Sequence, residues 1–127
     1  MKTNAGTATP ILNIRFGTAG TTSDTSRGQH TFTAGTAAAD EGVWDVWAVF
    51  RTVGSGTTAV LQSLSRITHK LSVTGITGTA ATSEAEIATS GGFDSTVASS
   101  IIGCSVNGGT SASWTVSLVA AELINLT

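Results

Sequence analysis

The sequence predicts an all-β chain, a single-domain antiparallel β-sandwich of jelly-roll type with seven to eight strands. Three observations carry that expectation. Apolar and polar residues alternate with a period of two over several stretches. Thr, Val and Gly are abundant, and these types favour half-buried pleated surfaces and turns. Ala, Leu, Glu, Lys and Arg almost nowhere come together in the runs that a long helix needs. The 127 residues suit one domain, 1–127, large enough to bury more than half of its unfolded surface without a metal or a disulfide. Residues 1–9 are read as an arm, flexible or bound to a partner.

Taken in order, the first strand is Ile11-Leu12-Asn13-Ile14-Arg15-Phe16, with Leu12, Ile14 and Phe16 on one face. Pro10 suits a strand start or an edge, where no ladder donor is needed. Gly17 to Asp24 is a loop by composition, and Gln29 to Thr33 is a weaker strand anchored by Phe32. The strongest element is Val43 to Val53: Trp44, Val46, Ala48 and Phe50 project to one side, Asp45, Trp47, Val49 and Arg51 to the other. Large groups on both faces predict cover on both sides. Gly54-Ser55-Gly56 turns the chain into Thr57 to Val73, completing a long hairpin with a bend or bulge in its second arm. Ser83 to Ala88 is read as a short strand in preference to a helical turn. Gly91 to Thr96 is a turn in which Asp94 accepts local backbone N–H groups. Ser100 to Val106 is a strand, Asn107-Gly108-Gly109 a hairpin turn, and Ser113 to Leu126 the last strand. Gly-Thr-Ala recurs at Gly6, Gly17, Gly35 and Gly78 with no common period, so no repeat architecture follows.

The charged fraction is 11%, against roughly 25% in ordinary soluble domains, so Thr, Ser, Asn and Gly must keep the surface wet. A net charge of −2, with the basic residues scattered, argues against nucleic acid as a partner. The sequence holds no apolar run of membrane-spanning length, and Met1 to Pro10 has no apolar signal core, so neither a membrane span nor a cleaved secretion signal is expected. Cys104 lies in an apolar run and is read as a buried, inert thiol.

The chemistry-bearing residues form no convincing constellation. His30 and His69 stand alone and far from Cys104, without metal-ligand spacing, and each is read as a structural or surface histidine. Thr21 to Asp24 and Asp40-Glu41 are thin candidates for calcium. Ser95, His69 and Asp94 make a nucleophilic trio on paper, yet in a serine-rich chain chance supplies such trios freely. Glu84 and Glu86 are the nearest thing to paired glycosidase carboxylates, and a surface position suits them better. No Gly-rich loop leads into a helix, and Asn125-Leu126-Thr127 at the chain end is read as an accidental sequon. No catalytic residue, cofactor or metal is expected, and the chain is not read as an enzyme. The remaining signal concerns surfaces. Trp44 and Trp47 are three apart and so fall on opposite faces of a strand: one fills the core, the other is covered or exposed.

Several phrases, in order, resemble a known family. Pro10-Ile11-Leu12-Asn13-Ile14-Arg15-Phe16-Gly17, Thr52-Val53-Gly54-Ser55-Gly56, Phe93-Asp94-Ser95-Thr96, Trp114-Thr115-Val116 and Ala121-Glu122-Leu123 are similar to stretches of small β-sandwich modules in structural proteins of tailed bacteriophages. The resemblance spans Ala5 to Leu126; its phrases are moderately specific as an ordered set and weak singly. Family members usually carry one or two strands ahead of the one that begins at Pro10. The resemblance implies a virion component of jelly-roll topology, commonly a homotrimer, serving as a capsid decoration (cement) protein or as a fibre or tail-tip head.

The expectation for function is therefore a phage virion structural protein, made in the host cytoplasm and sitting on the particle surface as a homotrimer. Its partners are copies of itself and virion proteins such as the major capsid protein. The alternative is a receptor- or glycan-binding head module of a tail fibre. Trp47, Val49, Val119, Ala121 and Leu123 are the expected interface residues.

Overall fold

A computed structural model of the chain describes residues 7–109, 114–117 and 121–122. Among them are six strands: β1 Ile11–Gly17, β2 Thr25–Thr31, β3 Gly42–Thr52, β4 Val60–His69, β5 Ser83–Thr89 and β6 Ile101–Asn107, with no helix. They form two antiparallel sheets of three strands, ordered β2-β1-β6 and β3-β4-β5. The predicted all-β sandwich is present, with six strands among the described residues instead of seven to eight. The difference falls mainly at the predicted last strand, Ser113 to Leu126. Within it Thr115 to Ser117 belong to none of the described strands, and Trp114 stacks on Trp44, ring centroids 6.2 Å apart. Much of the rest of that segment lies outside the described residues.

The period-two reading of β1 holds. Leu12 and Ile14 are buried, and Phe16 lies between Phe50 and Phe93 at centroid distances of 6.0 and 5.1 Å. The core joins Leu12, Ile14, Phe32, Ala59, Leu61, Ile67, Ile76 and Phe93. β4 supplies much of it because alternate residues, Leu61, Ser63, Ser65, Ile67 and His69, all turn inward and are buried. β3 pairs with β4 from Gly42↔His69 to Thr52↔Val60, the predicted hairpin. Its irregularity falls between Phe50 and Thr52, in the first arm and not the second: Arg51 has no opposite number, so the strand that carries it bulges. β2 begins at Thr25, earlier than its apolar content suggested, because the ladder to β1 holds Thr25 to Gly28 in extended form. Phe32 lies just beyond the strand, 2% exposed. Ala8, in the predicted N-terminal arm, accepts a hydrogen bond from the Gly35 N–H through its carbonyl.

Among the described strands, the two sheets are shut along one side, at β2, and open along the other, at β6. β2 packs across the interior on β5 and β4, whereas the strand contacts of β6 are with β1. Gly28 allows the close approach on the shut side: a Cβ there would lie 2.5 Å from the Ser63 hydroxyl. On the open side, Ile102 and Cys104 pair in register with Phe16 and Ile14 and so point toward the core face. Ile102 is nonetheless 48% exposed, and Cys104 is exposed as well. The expectation of a buried Cys104 fails because, among the described strands, β6 lies at the end of its sheet. Partial loss of solvent still pushes the thiol above its ordinary range, which keeps it protonated at neutral pH.

Candidate functional site

Two features stand out, one sealed inside the sandwich and one on its outer wall. The inner one starts with Asp40, in the connection leading to β3, and His69 at the end of β4. Both side chains are wholly buried, and His69 Nδ1 donates to Asp40 Oδ2 at 2.6 Å. His69 Nε2 lies 3.0 Å from the Thr77 hydroxyl. A hydroxyl, an imidazole and a carboxylate thus stand in line, the arrangement that activates a nucleophile when a substrate can reach it. Here none can, since Thr77 is 0% exposed. The carboxylate instead gathers backbone N–H groups: Asp40 Oδ2 accepts from Ile76 (3.1 Å), and Oδ1 from Glu41 (2.8 Å) and Leu71 (3.3 Å). Gly75 lies against it at φ +93°, where a Cβ would come within 2.1 Å of Oδ2. Burial by itself would push the Asp40 carboxyl upward. The N–H groups of Ile76 and Glu41 and the His69 ring outweigh it and hold the group below the ordinary carboxylate range. The network therefore pins the connection between β4 and β5 to the start of β3.

A second buried histidine sits on the shut side. His30 Nε2 contacts the Ser63 hydroxyl at 2.9 Å, while the Ser65 hydroxyl has no hydrogen-bond partner among the described residues. Burial pushes the His30 ring below the ordinary histidine range, against the opposing pull of the Glu86 backbone carbonyl and carboxylate.

These arrangements dispose of the paper constellations. His69 belongs to Asp40 and Thr77; Asp94 Oδ1 accepts from Thr96 and the Ser95 hydroxyl meets Gly54, so that trio is not assembled. Asp24 and Asp40, the thin calcium candidates, point their carboxylates at backbone N–H groups, Ala19 and Gly20 for Asp24. Glu84 and Glu86 are half-buried and not on the open surface as expected; Glu84 Oε1 accepts from the N–H and hydroxyl of Thr33. Among the described residues no group of three metal-ligating side chains comes together.

The outer feature is the solvent side of β3-β4-β5. Because cross-strand partners share a face, Trp47, Leu64 and Ile87 form one row across all three strands. The row below it is Asp45, Arg66 and Ala85, and the row above is Val49, Gln62 and Thr89. Trp47 is 54% exposed, Val49 62% and Ile87 69%. A shallow groove of about 280 Å³ runs between them. Arg66 Nη2 meets Asp45 Oδ2 at 2.8 Å and its guanidinium stands 5.9 Å from the Trp47 ring centre, so the only charges on these rows neutralise each other. Trp44 does the opposite of Trp47: it packs half-buried on the core, 5.7 Å from the Phe32 ring. Of the expected interface residues, Trp47 and Val49 thus lie together on this wall and Ala121 is exposed elsewhere in the chain, while Val119 and Leu123 lie outside the described residues. Leu64 and Ile87 were missed; strand alternation marked their faces, but only the ladder register shows that they line up with Trp47.

No protein-family model, curated protein or solved structure matches this chain.

Proposed function

We propose that this chain is a structural module of a bacteriophage particle, a decoration protein of jelly-roll type that works by assembly and not by catalysis. The observation that carries the reading is the outward row Trp47, Leu64 and Ile87, set in a wall with no net charge. The largest apolar patch on a monomer is often a functional one, and an exposed indole is among the side chains most often found to dominate binding. The ordered resemblance to phage β-sandwich modules supplies the class of partner, and its usual homotrimer the expected state.

The test is the native mass in solution by light scattering, followed by co-sedimentation with empty capsids. Three times the 12.7 kDa chain mass is expected. Trp47→Ser is expected to weaken self-association by at least about 30-fold, from the ~2 kcal/mol a central Trp contributes. Its melting temperature should stay within a degree or two, since the ring leaves no cavity behind. A monomeric wild-type chain that ignores capsids would overturn the reading. One observation favours a second reading, a glycan-binding head: the exposed Trp47 ring has Arg66, Asp45 and Gln62 beside it. Binding on a host-glycan array that is lost in Trp47→Ser, without any change of mass, would select it.

A further inference from the structure

The end of β6 brings a reactive pair of residues and the geometry that favours its reaction into one place. Asn107 closes the strand, exposed, and Gly108 follows it directly. It is the chain's single Asn-Gly pair. A side chain on the residue after an asparagine shields the peptide nitrogen between them; a glycine leaves that nitrogen open to close approach.

Three features of the structure bear on this pair. The Gly109 N–H, turned back by a φ of +77°, donates to Asn107 Oδ1 at 2.8 Å. That bond closes an Asx turn, which folds the side-chain carbonyl over the Gly108 peptide and draws electrons away from Cγ. Next, the Gly108 nitrogen is free of the ladder. Antiparallel residues alternate in the neighbour they face. The Pro10 carbonyl takes the Phe32 N–H on the β2 side, so Ile11 faces β6 and pairs with Asn107, and the Gly108 N–H points away from β1. The third feature is Trp114. Its indole Nε1–H donates to the Gly108 carbonyl at 3.2 Å, and a Cβ on residue 108 would run into that nitrogen. The packing of Trp114 therefore demands a glycine at 108, and the same glycine makes Asn107 labile. Asn13 is the contrast. It is 8% exposed, paired on both sides within β1, accepts from the Ser26 hydroxyl and precedes the β-branched Ile14.

We infer that Asn107 is a self-modifying position, which converts without an enzyme to aspartate and isoaspartate and in the second form releases Trp114. The Gly108 nitrogen loses its proton to hydroxide and attacks Asn107 Cγ. The N–Cγ bond forms, the Cγ–Nδ2 bond breaks, and the side-chain nitrogen leaves as ammonia, giving a cyclic succinimide. Water then adds to one of the two ring carbonyls, and nothing is oxidised or reduced. Addition at Cγ restores the ordinary backbone and leaves aspartate, which still offers the Gly109 N–H an oxygen. Addition at the main-chain carbonyl leaves isoaspartate, with the backbone running through Cγ and longer by one carbon. That insertion displaces Gly108, so its carbonyl no longer meets the Trp114 indole and the stack of Trp114 on Trp44 loosens.

The test holds the native chain at mildly alkaline pH in heavy-oxygen water and follows residue 107 by peptide mapping. Aspartate and isoaspartate are expected there, each with one heavy oxygen, at a rate that rises with hydroxide and is no slower than in the chain unfolded in urea. Asn13 is expected to stay asparagine in the native chain. Each product adds one negative charge to a chain of net charge −2, so anion exchange separates it from the starting protein. In the isoaspartate form the indole N–H resonance of Trp114 is expected to move; in freshly purified Asn107→Asp, whose backbone is ordinary, it should stay in place. An Asn107 that persists in the folded chain while it converts in urea would overturn the inference. So would an isoaspartate form whose Trp114 resonance matches that of the unmodified protein.

Discussion

Asp40→Asn is expected to lower the free energy of unfolding by about 1–3 kcal/mol for each buried donor left facing the new amide, the usual cost of leaving a buried polar group without its partner. The substitution is nearly isosteric, so its effect comes from hydrogen-bond polarity. Asp40 presents two oxygens to two pairs of donors: His69 and Ile76 on Oδ2, Glu41 and Leu71 on Oδ1. An amide has one oxygen and one NH₂, so whichever way it turns, donors face donors on one side in a place that water does not reach. The loss should be local before it is global. The Ile76 amide, bonded to this carboxylate, should exchange with solvent faster by roughly 10- to 100-fold, while amides in the β1–β2 ladder follow the global change. Urea unfolding and residue-resolved hydrogen exchange measure both. A change under 1 kcal/mol would mean that the network is ornamental.

Acid should weaken the fold in two stages. His30 is held below the ordinary histidine value of 6.5, so below that pH the unfolded chain takes up a proton that the buried ring refuses. Its contribution is complete above 6.5 and fades as pH falls toward the lowered folded value. Each pH unit in that window costs at most ~1.4 kcal/mol. Asp40 is also held below its ordinary value of 3.8, so its contribution is present above 3.8 and is lost as pH falls through the still lower folded value. His30→Gln removes the first titration and keeps a polar end for Ser63. Urea midpoints between pH 8 and 4 should therefore slope less in the variant than in the wild type just below pH 6.5, and run parallel once the pH has fallen below the lowered folded value. Equal slopes across the upper window would assign the first stage to another group.

The elements built on strong alternation were readable from the residues alone. β1 and the β3–β4 hairpin place Leu12, Ile14, Trp44 and Leu61 inward as their spacing demands. β2 was half missed because Thr25, Ser26 and Gly28 carry no apolar signal and are strand only through their partners on β1. The bulge at Arg51 and the exposure of Cys104 depend on where one strand lies over another, which spacing within a strand does not contain. The Asp40–His69 pair shows the same limit. His69 falls in the inward row of β4, so a partner was required, but Asp40 is one of several carboxylates that chain distance alone could not rank. The Trp47 wall was half visible: alternation put Trp47 and Val49 on one face, and only the register adds Leu64 and Ile87.

The pairing of β1 with β6 also governs the order in which the molecule is made. Between Gly17, where β1 ends, and Ile101, where β6 begins, the ribosome must add 84 residues, the difference of those numbers. At about 5–20 residues per second that is on the order of 4–17 seconds. Throughout that interval β1 can lean only on β2, while β3, β4 and β5 emerge as consecutive neighbours and assemble as they appear. The first sheet is thus begun first and finished last, and a nascent chain spends that interval with one edge of β1 waiting for a strand still being translated.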